Sequence, residues 1–417
     1  PVVASVSAGS DAARQDILPG DVLVSVDGRP VQAESPFELD VWLSGAKNST
    51  VRLRFERERS DGSTVELDRV VRRERVEEGT AVPTAFMLDA TTGYVRVTTF
   101  ANQKAAEDLH AALGALERQG MQRLVLDLRD NGGGMVDEAA RVASEFLPSG
   151  AVIYSSAGRK PEIARTQRVT HSFLSPGGRQ YPVVLLVDGG TASASEIVAG
   201  ALQDHDRALI VGHPSFGKSL LMRGFPLPDG SVAVMVFGHI KTPCGRVIQR
   251  QYRGIKRGEY YRRAGAVTDT AGRPSCRTDH GRTVYGGGGI YPDVVLEPEA
   301  GAPVWLARLY ENDVVTRWMN AWLAAHPDGL GTADAFAANP VLPAGALADF
   351  RAFAARQGLP VPEGADADAR LQRALVPDLA GTKWGAPGYY RLIAVLDPQV
   401  RQAVAQFPRA AQILAGQ

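Results

Sequence analysis

Short apolar runs of strand length alternate with stretches of helical period along most of this chain. Residues 1–80 hold four β-like runs, at 2–6, 22–26, 51–57 and 65–71, punctuated by turns at Gly20-Asp21 and Asp27-Gly28. Between two of them, residues 36–43 place Phe37, Val41 and Trp42 at helical spacing. This predicts a small β-rich module with one short helix. Residues 81–300 change texture. Strands are predicted over 93–99, 123–127, 182–187 and 208–211, and helices over 104–119, 136–146 and 193–205. In the 104–119 segment Ala105, Leu109, Ala112 and Leu116 share one face. Strand and helix in alternation predict an α/β core with parallel strands. Beyond residue 300 the chain turns Ala-rich and helical, over 305–310, 315–325, 346–357 and 389–407. The whole is mixed α+β, with no internal repeat.

Composition removes several classes. The 417 residues carry 46 Lys+Arg against 46 Asp+Glu, so nothing in the global charge favours nucleic acid or an anionic membrane. A hydrophobic share of 44% with 22% charged residues is that of a globular protein. No run of about 18 apolar residues exists, so nothing spans a membrane as a helix. The chain opens on Pro1 without Met or a signal peptide, which reads as a processed or trimmed protein. Cys244 and Cys276 are the two cysteines. With His239 and His280 they sketch a zinc site that lacks tight C-x-x-C spacing. One disulfide in an exported protein and two unrelated thiols both remain open.

Gly212-His213-Pro214-Ser215-Phe216-Gly217-Lys218-Ser219 matches the phosphate-cradling G-x-x-x-x-G-K-[ST] pattern letter for letter. That chemistry needs a helix N-terminus facing the phosphates. Here Gly224 and Pro226 interrupt the following residues, Leu227-Pro228-Asp229-Gly230 makes a turn, and an apolar run spans 232–237. The segment reads as a hairpin, which weakens the nucleotide-binding reading.

Gly189-Gly190-Thr191-Ala192-Ser193-Ala194-Ser195-Glu196 sits at a strand-to-helix junction. Free N–H groups and the dipole at a helix start suit a serine that must become an alkoxide. The bland alternative is an N-cap, for which Ser195-Glu196 would serve. His205 is too far along the same helix to act as base, roughly 18 Å at 1.5 Å per residue. Lys218 has no acidic neighbour among residues 216–221. A lysine acts as general base only where desolvation brings its pKa toward the working pH. Gly132-Gly133-Gly134, after a buried strand, lets a backbone approach a ligand closely; a flexible turn is the alternative.

Taken together, these segments resemble the carboxy-terminal processing peptidases, tail-specific serine proteases of the S41 type. The family's S-A-S-A-S-E-I-x-A-x-A-x-Q-D stands here at 191–204 with Thr191 first, its G-x-x-[ST]-F-G-K at 212–218, and its L-R-x-N-x-G-G at 128–134. Lys218 follows Ser193 by 25 residues, the family's serine–lysine interval. The resemblance implies Ser193 as nucleophile, Lys218 as base, Asp204 as a supporting acid, and the N–H groups of Gly133 and Ala194 as oxyanion donors. It implies a PDZ-like module over 1–80, lacking its first part, a ClpP/crotonase-like peptidase core over 81–300 and a helical domain over 301–417. The segment Gly281 to Ile290 and the helical tail are similar to a long subgroup found in Bacteroidetes-like and related bacteria.

Two departures accompany the resemblance. The family's lysine-orienting Gln stands four residues after the lysine, where this chain has Met222, and a thioether donates no hydrogen bond. Ser219 would point away from Lys218 if that segment were a strand. The carboxylate-gripping PDZ loop would precede the first residues here. The implied function is a serine endopeptidase acting near the C-terminal tails of unfolded or exported polypeptides, in the periplasm or exported. It needs no metal or organic cofactor and no nucleic acid, and is compatible with a homo-oligomer. The rivals are a catalytically inactive peptide-binding scaffold of the same fold and a P-loop nucleotide-binding enzyme.

Overall fold

A computed structural model of the chain describes residues 1–3, 6, 10–31, 36–58, 63–74, 79–170, 178–227, 232–266, 270–297 and 301–416. The chain divides into two units by its contacts, Pro1–Glu78 with Glu299–Leu396, and Gly79–Pro298 with Asp397–Gln417.

The second unit is built on a six-stranded sheet ordered Val294–Val295, Leu209–Gly212, Val183–Val187, Arg123–Asp127, Thr92–Arg96, Thr84–Met87. All neighbours are parallel except the Thr84–Met87 edge. The unbroken apolar runs explain this choice. Leu124, Val125 and Leu126 are fully buried, as are Val184, Leu185 and Leu186, because helices cover parallel strands on both faces. Ala105–Arg118, Val136–Ser144 and Ala194–Asp204 are the crossover helices, and they contribute Leu109, Leu113, Ala139 and Val198 to the core. A second, antiparallel sheet is ordered Leu220–Pro226, Val232–Lys241, Val152–Gly158, Arg165–Arg168. The short hairpin Ser275–Arg277/Thr283–Tyr285 completes the unit with the helices Pro398–Val404 and Phe407–Leu414.

In the first unit, Arg29–Pro30, Val22–Val26, Thr50–Glu58 and Thr64–Arg72 form an antiparallel sheet over Leu23, Val26, Leu53 and Phe55. The helices Val304–Glu311, Val314–Ala325, Ala333–Ala338, Ala346–Arg356 and Ala365–Leu396 pack around Trp318, Phe350 and Leu375. The last of these is interrupted at Gly385. The helix expected over 389–407 breaks at Asp397, whose side chain accepts from Gln399 N and caps a new helix starting at Pro398. Part of the run at 2–6, the Phe37 side chain and the turn at Pro228-Asp229-Gly230 lie outside the described residues.

Candidate active site

Three adjacent parallel strands end at the same edge of the sheet. Asp127 leads into the glycine block, Val187 into the serine block and Gly212 into the lysine block. The carboxyl ends of such strands are where α/β folds assemble sites. Gly212 has φ +126°, and a side chain there would meet Val187 O at 2.1 Å. Gly133, at φ +96°, packs against the serine turn, with Ala194 N and Ser193 Cβ within 2.9 Å of any added Cβ. Larger residues at these two positions would push the loops apart.

Ser193 is the N-cap of the Ala194–Asp204 helix and holds φ 58°, ψ −114°. A left-handed conformation in a non-glycine residue is strained, and such strain persists only where the surroundings impose it. The surroundings here are Glu196, whose Oε2 accepts the Ser193 N–H at 2.8 Å. Ser195 is fully buried and donates to Asn131 O at 2.8 Å, so it is committed to structure. Thr191 keeps the hydroxyl of the serine it replaces and donates it to Leu128 O at 2.9 Å.

Lys218 reaches the same place by its backbone. The Glu196 Oε2 that holds Ser193 N also accepts Lys218 N at 2.8 Å, while Oε1 accepts Gly217 N at 2.7 Å and Ser215 Oγ at 2.5 Å. One carboxylate oxygen therefore ties the two main chains together. Glu196 is fully buried among neutral donors, and desolvation pushes its carboxyl up to about 6. Ser193, Glu196 and Lys218 line one cleft of about 270 Å³ with Gly132, Gly134, Ser219 and Met222. Much of the rest of its lining is apolar, including Val136, Ile153, Leu221 and Ile248.

The expected oxyanion donors fare differently. Ala194 N–H lies in the first turn of its helix, where no intrahelical partner exists. Gly133 N–H instead donates to Asn131 Oδ1 at 3.0 Å, so it is bound within its own loop. Asn131 Nδ2 donates to Val97 O and Asn131 O accepts Ala192 N, which stitches the glycine and serine loops. Below the loop, Asp127 is wholly buried and paired with Arg96 and Arg129. Those guanidiniums hold its carboxyl well below the usual carboxylate range against the cost of burial. Arg129 also pairs with Asp397 at 2.6 Å.

Asp204 lies at the far end of the Ala194–Asp204 helix. It pairs with buried Arg246 and accepts Cys244 N at 3.0 Å. Cys244 and Cys276 form a disulfide, so the sketched zinc site has no thiols to offer. His205 is not among the residues lining the cleft and bonds Asp279 and Val152 O. The P-loop pattern runs into the strand Leu220–Pro226, which pairs antiparallel with Val232–Lys241, so a strand follows it where the phosphate-cradling motif needs a helix.

Sequence reasoning missed Glu196, reading it as part of an N-cap. The signal was present: Ser193-x-x-Glu196 has capping-box spacing, and its carboxylate was free to serve a second loop.

Residues 91–258 match the family model of Peptidase family S41, and residues 2–57 match that of a PDZ domain. The chain thus contains an S41-type peptidase region over 91–258 and a PDZ domain over 2–57. It is 33% identical over 253 residues to carboxyl-terminal-processing peptidase 2, chloroplastic, of Arabidopsis thaliana, covering 58% of this chain and 46% of that one. It is 34% identical over 243 residues to the carboxyl-terminal-processing protease of Synechocystis sp., covering 57% of this chain and 53% of the relative. The chain thus spans about half the length of the curated relatives it matches. Among solved structures, the photosystem II D1 C-terminal processing protease is 28% identical with a TM-score of 0.38, covering 72% of this chain and 68% of that one.

Proposed function

We propose that the chain is a serine endopeptidase cleaving near the C-terminal tails of polypeptides, with Ser193 as nucleophile and Lys218 as general base. The observation that carries this is the shared oxygen of Glu196, which fixes both backbones at the rim of one cleft. The Lys218 amine takes the Ser193 Oγ proton as Oγ attacks the scissile carbonyl, and the resulting ammonium protonates the leaving amine. Water then releases the acyl group by the same proton path. Ala194 N–H faces the developing oxyanion, and Gly133 N–H adds to it only on leaving Asn131. Asp204 supports the site at a distance by anchoring the nucleophile helix through Arg246.

The substrate reading follows from the walls. The apolar cleft suits an apolar side chain. The strand Leu220–Pro226 begins just after Lys218 and is an edge of its sheet, so an extended tail adds beside it by β-augmentation. The PDZ module presents or gates that tail. The disulfide supports an exported, oxidising setting; among the described residues no helix is long and apolar enough to cross a membrane. The test is cleavage of a peptide with a disordered apolar tail. Ser193→Ala and Lys218→Ala each abolish it in folded protein, and the double variant is no worse than either, because the pair acts as a unit. Near-normal cleavage by Lys218→Ala would remove the mechanism.

A further inference from the structure

The sequence pattern placed Ser219 on the opposite side from Lys218, because neighbours in a strand alternate faces. The structure removes the premise. The strand begins at Leu220, and Gly217, at φ +85°, makes the preceding segment an irregular loop. Lys218 and Ser219 both line the cleft that Ser193 lines. Ser219 is fixed from two sides: its N–H donates to Gln249 Oε1 at 2.9 Å and its carbonyl accepts Ile240 N at 2.7 Å. The residue is 4% exposed, and its Oγ is buried without a hydrogen-bond partner among the described residues. A buried hydroxyl in that condition is costly, and an alanine of nearly the same shape would avoid the cost.

Met222, in the position where the notable side-chain amide of related sequences would stand, also lines this cleft and offers no donor. The chain therefore lacks a polar group at one corner of the site and has an unused one at another. Resting on the dyad assigned above, we propose that Ser219 is a positioning residue for Lys218, its hydroxyl taking over the orientation that Met222 does not provide. A neutral lysine amine has one lone pair and two N–H bonds. The lone pair points at the Ser193 proton only if the remaining bonds are held. An N–H donated to Ser219 Oγ holds one of them in the reactive complex. The flexible four-carbon stem brings the amine to the adjacent residue without backbone movement.

The test is steady-state kinetics on the full chain with a disordered-tail peptide, using Ser219→Ala, Met222→Gln and the double variant. Ser219→Ala is expected to lower kcat about tenfold with KM unchanged, since it removes orientation rather than binding. Its thermal midpoint stays level or rises. Adding Met222→Gln to Ser219→Ala restores kcat to within about threefold of the parent, because an amide returns to the empty corner. A Ser219→Ala protein turning over at the parent rate overturns the proposal, and so does a slow one that Met222→Gln does not restore. Should Ser219→Ala lower the thermal midpoint, Ser219→Cys, with the same shape and a weaker acceptor, reads the same bond. Fluorophosphonate labelling of the parent separates this failure from that of the dyad. A parent chain whose Ser193 does not label loses the dyad itself, whereas a labelled parent with an indifferent Ser219 loses only the inference drawn here.

Discussion

The two ends of the Ala194–Asp204 helix bury acidic groups to opposite purpose. At its start Glu196 has four neutral donors around it, and the residue before the helix is held in a strained conformation. At its end Asp204 meets Arg246, each 1% exposed, beside a disulfide that pins Cys244 to Cys276. A charge set against a counter-charge and a covalent link makes a rigid anchor. A charge set only against N–H and O–H dipoles holds two loops at a chosen separation and stays responsive to protonation. The motif quoted for 191–204 runs through both ends, yet the first holds the Ser193 and Lys218 backbones together and the second anchors the helix.

The largest effect that sharpens this contrast belongs to the anchor. Asp204→Ala leaves Arg246 buried without its partner and is expected to cost about 3–5 kcal/mol of unfolding free energy. Cleavage per folded molecule stays within about threefold of the parent, because no reacting atom is touched. Denaturant titration with active-site counting checks both. A large drop in turnover with unchanged stability would move Asp204 into the chemistry.

Reducing the disulfide comes next. A separation of 32 residues in sequence predicts a loss of about 3–4 kcal/mol in the chain-entropy view. Thermal scans with and without reductant measure it. An unchanged midpoint, with both thiols titrating in the unreduced denatured chain, would show that the bridge does not form.

The opposite end responds to pH. Because the folded-state carboxyl of Glu196 is raised from 4.5 to about 6, its ionised form is the costly one when folded. Its stabilising contribution is present below about 4.5 and is lost as pH rises through about 6, a fall of about 2 kcal/mol. Activity runs the other way. Four donors need the carboxylate, so kcat/KM acquires an acid limb near pH 6. Glu196→Gln flattens the stability slope in that window and lowers kcat about tenfold or more. An acid limb unmoved in Glu196→Gln would assign it to another group.

The smallest effect is at Met222. Met222→Gln alone raises kcat by up to about threefold or leaves it level, since Ser219 already serves the amine. Steady-state kinetics reads this directly. A large fall with intact stability would show Met222 packing productively on the lysine stem.

Much of this was legible in the sequence for physical reasons. Strands buried on both faces leave unbroken apolar runs, so 123–127 and 183–187 were readable, and the three loops follow their carboxyl ends. The helical run Ala365–Leu396 was not: Pro377 reads as a breaker, yet packing of Leu371, Leu375 and Leu379 carries the helix through it, whereas Gly385 does interrupt the run. The break at Asp397 was missed because the apolar period continues across it. Ser193 and Lys218 were singled out by the resemblance of their segments to the family's serine and lysine blocks, and both line one cleft. Gly133 N–H was expected to be open, and only the fold shows Asn131 occupying it. Ser219 was set aside by an alternation rule that fails where the strand has not begun.

The central claim is that Lys218 activates Ser193. The most direct measurement is the rate at which a fluorophosphonate labels Ser193, located by peptide mass spectrometry, in the parent chain and in Lys218→Ala. The account predicts labelling at Ser193 in the parent and a rate lower by about a hundredfold or more in folded Lys218→Ala. Equal rates in the two proteins, or labelling at Ser195 instead, would contradict it.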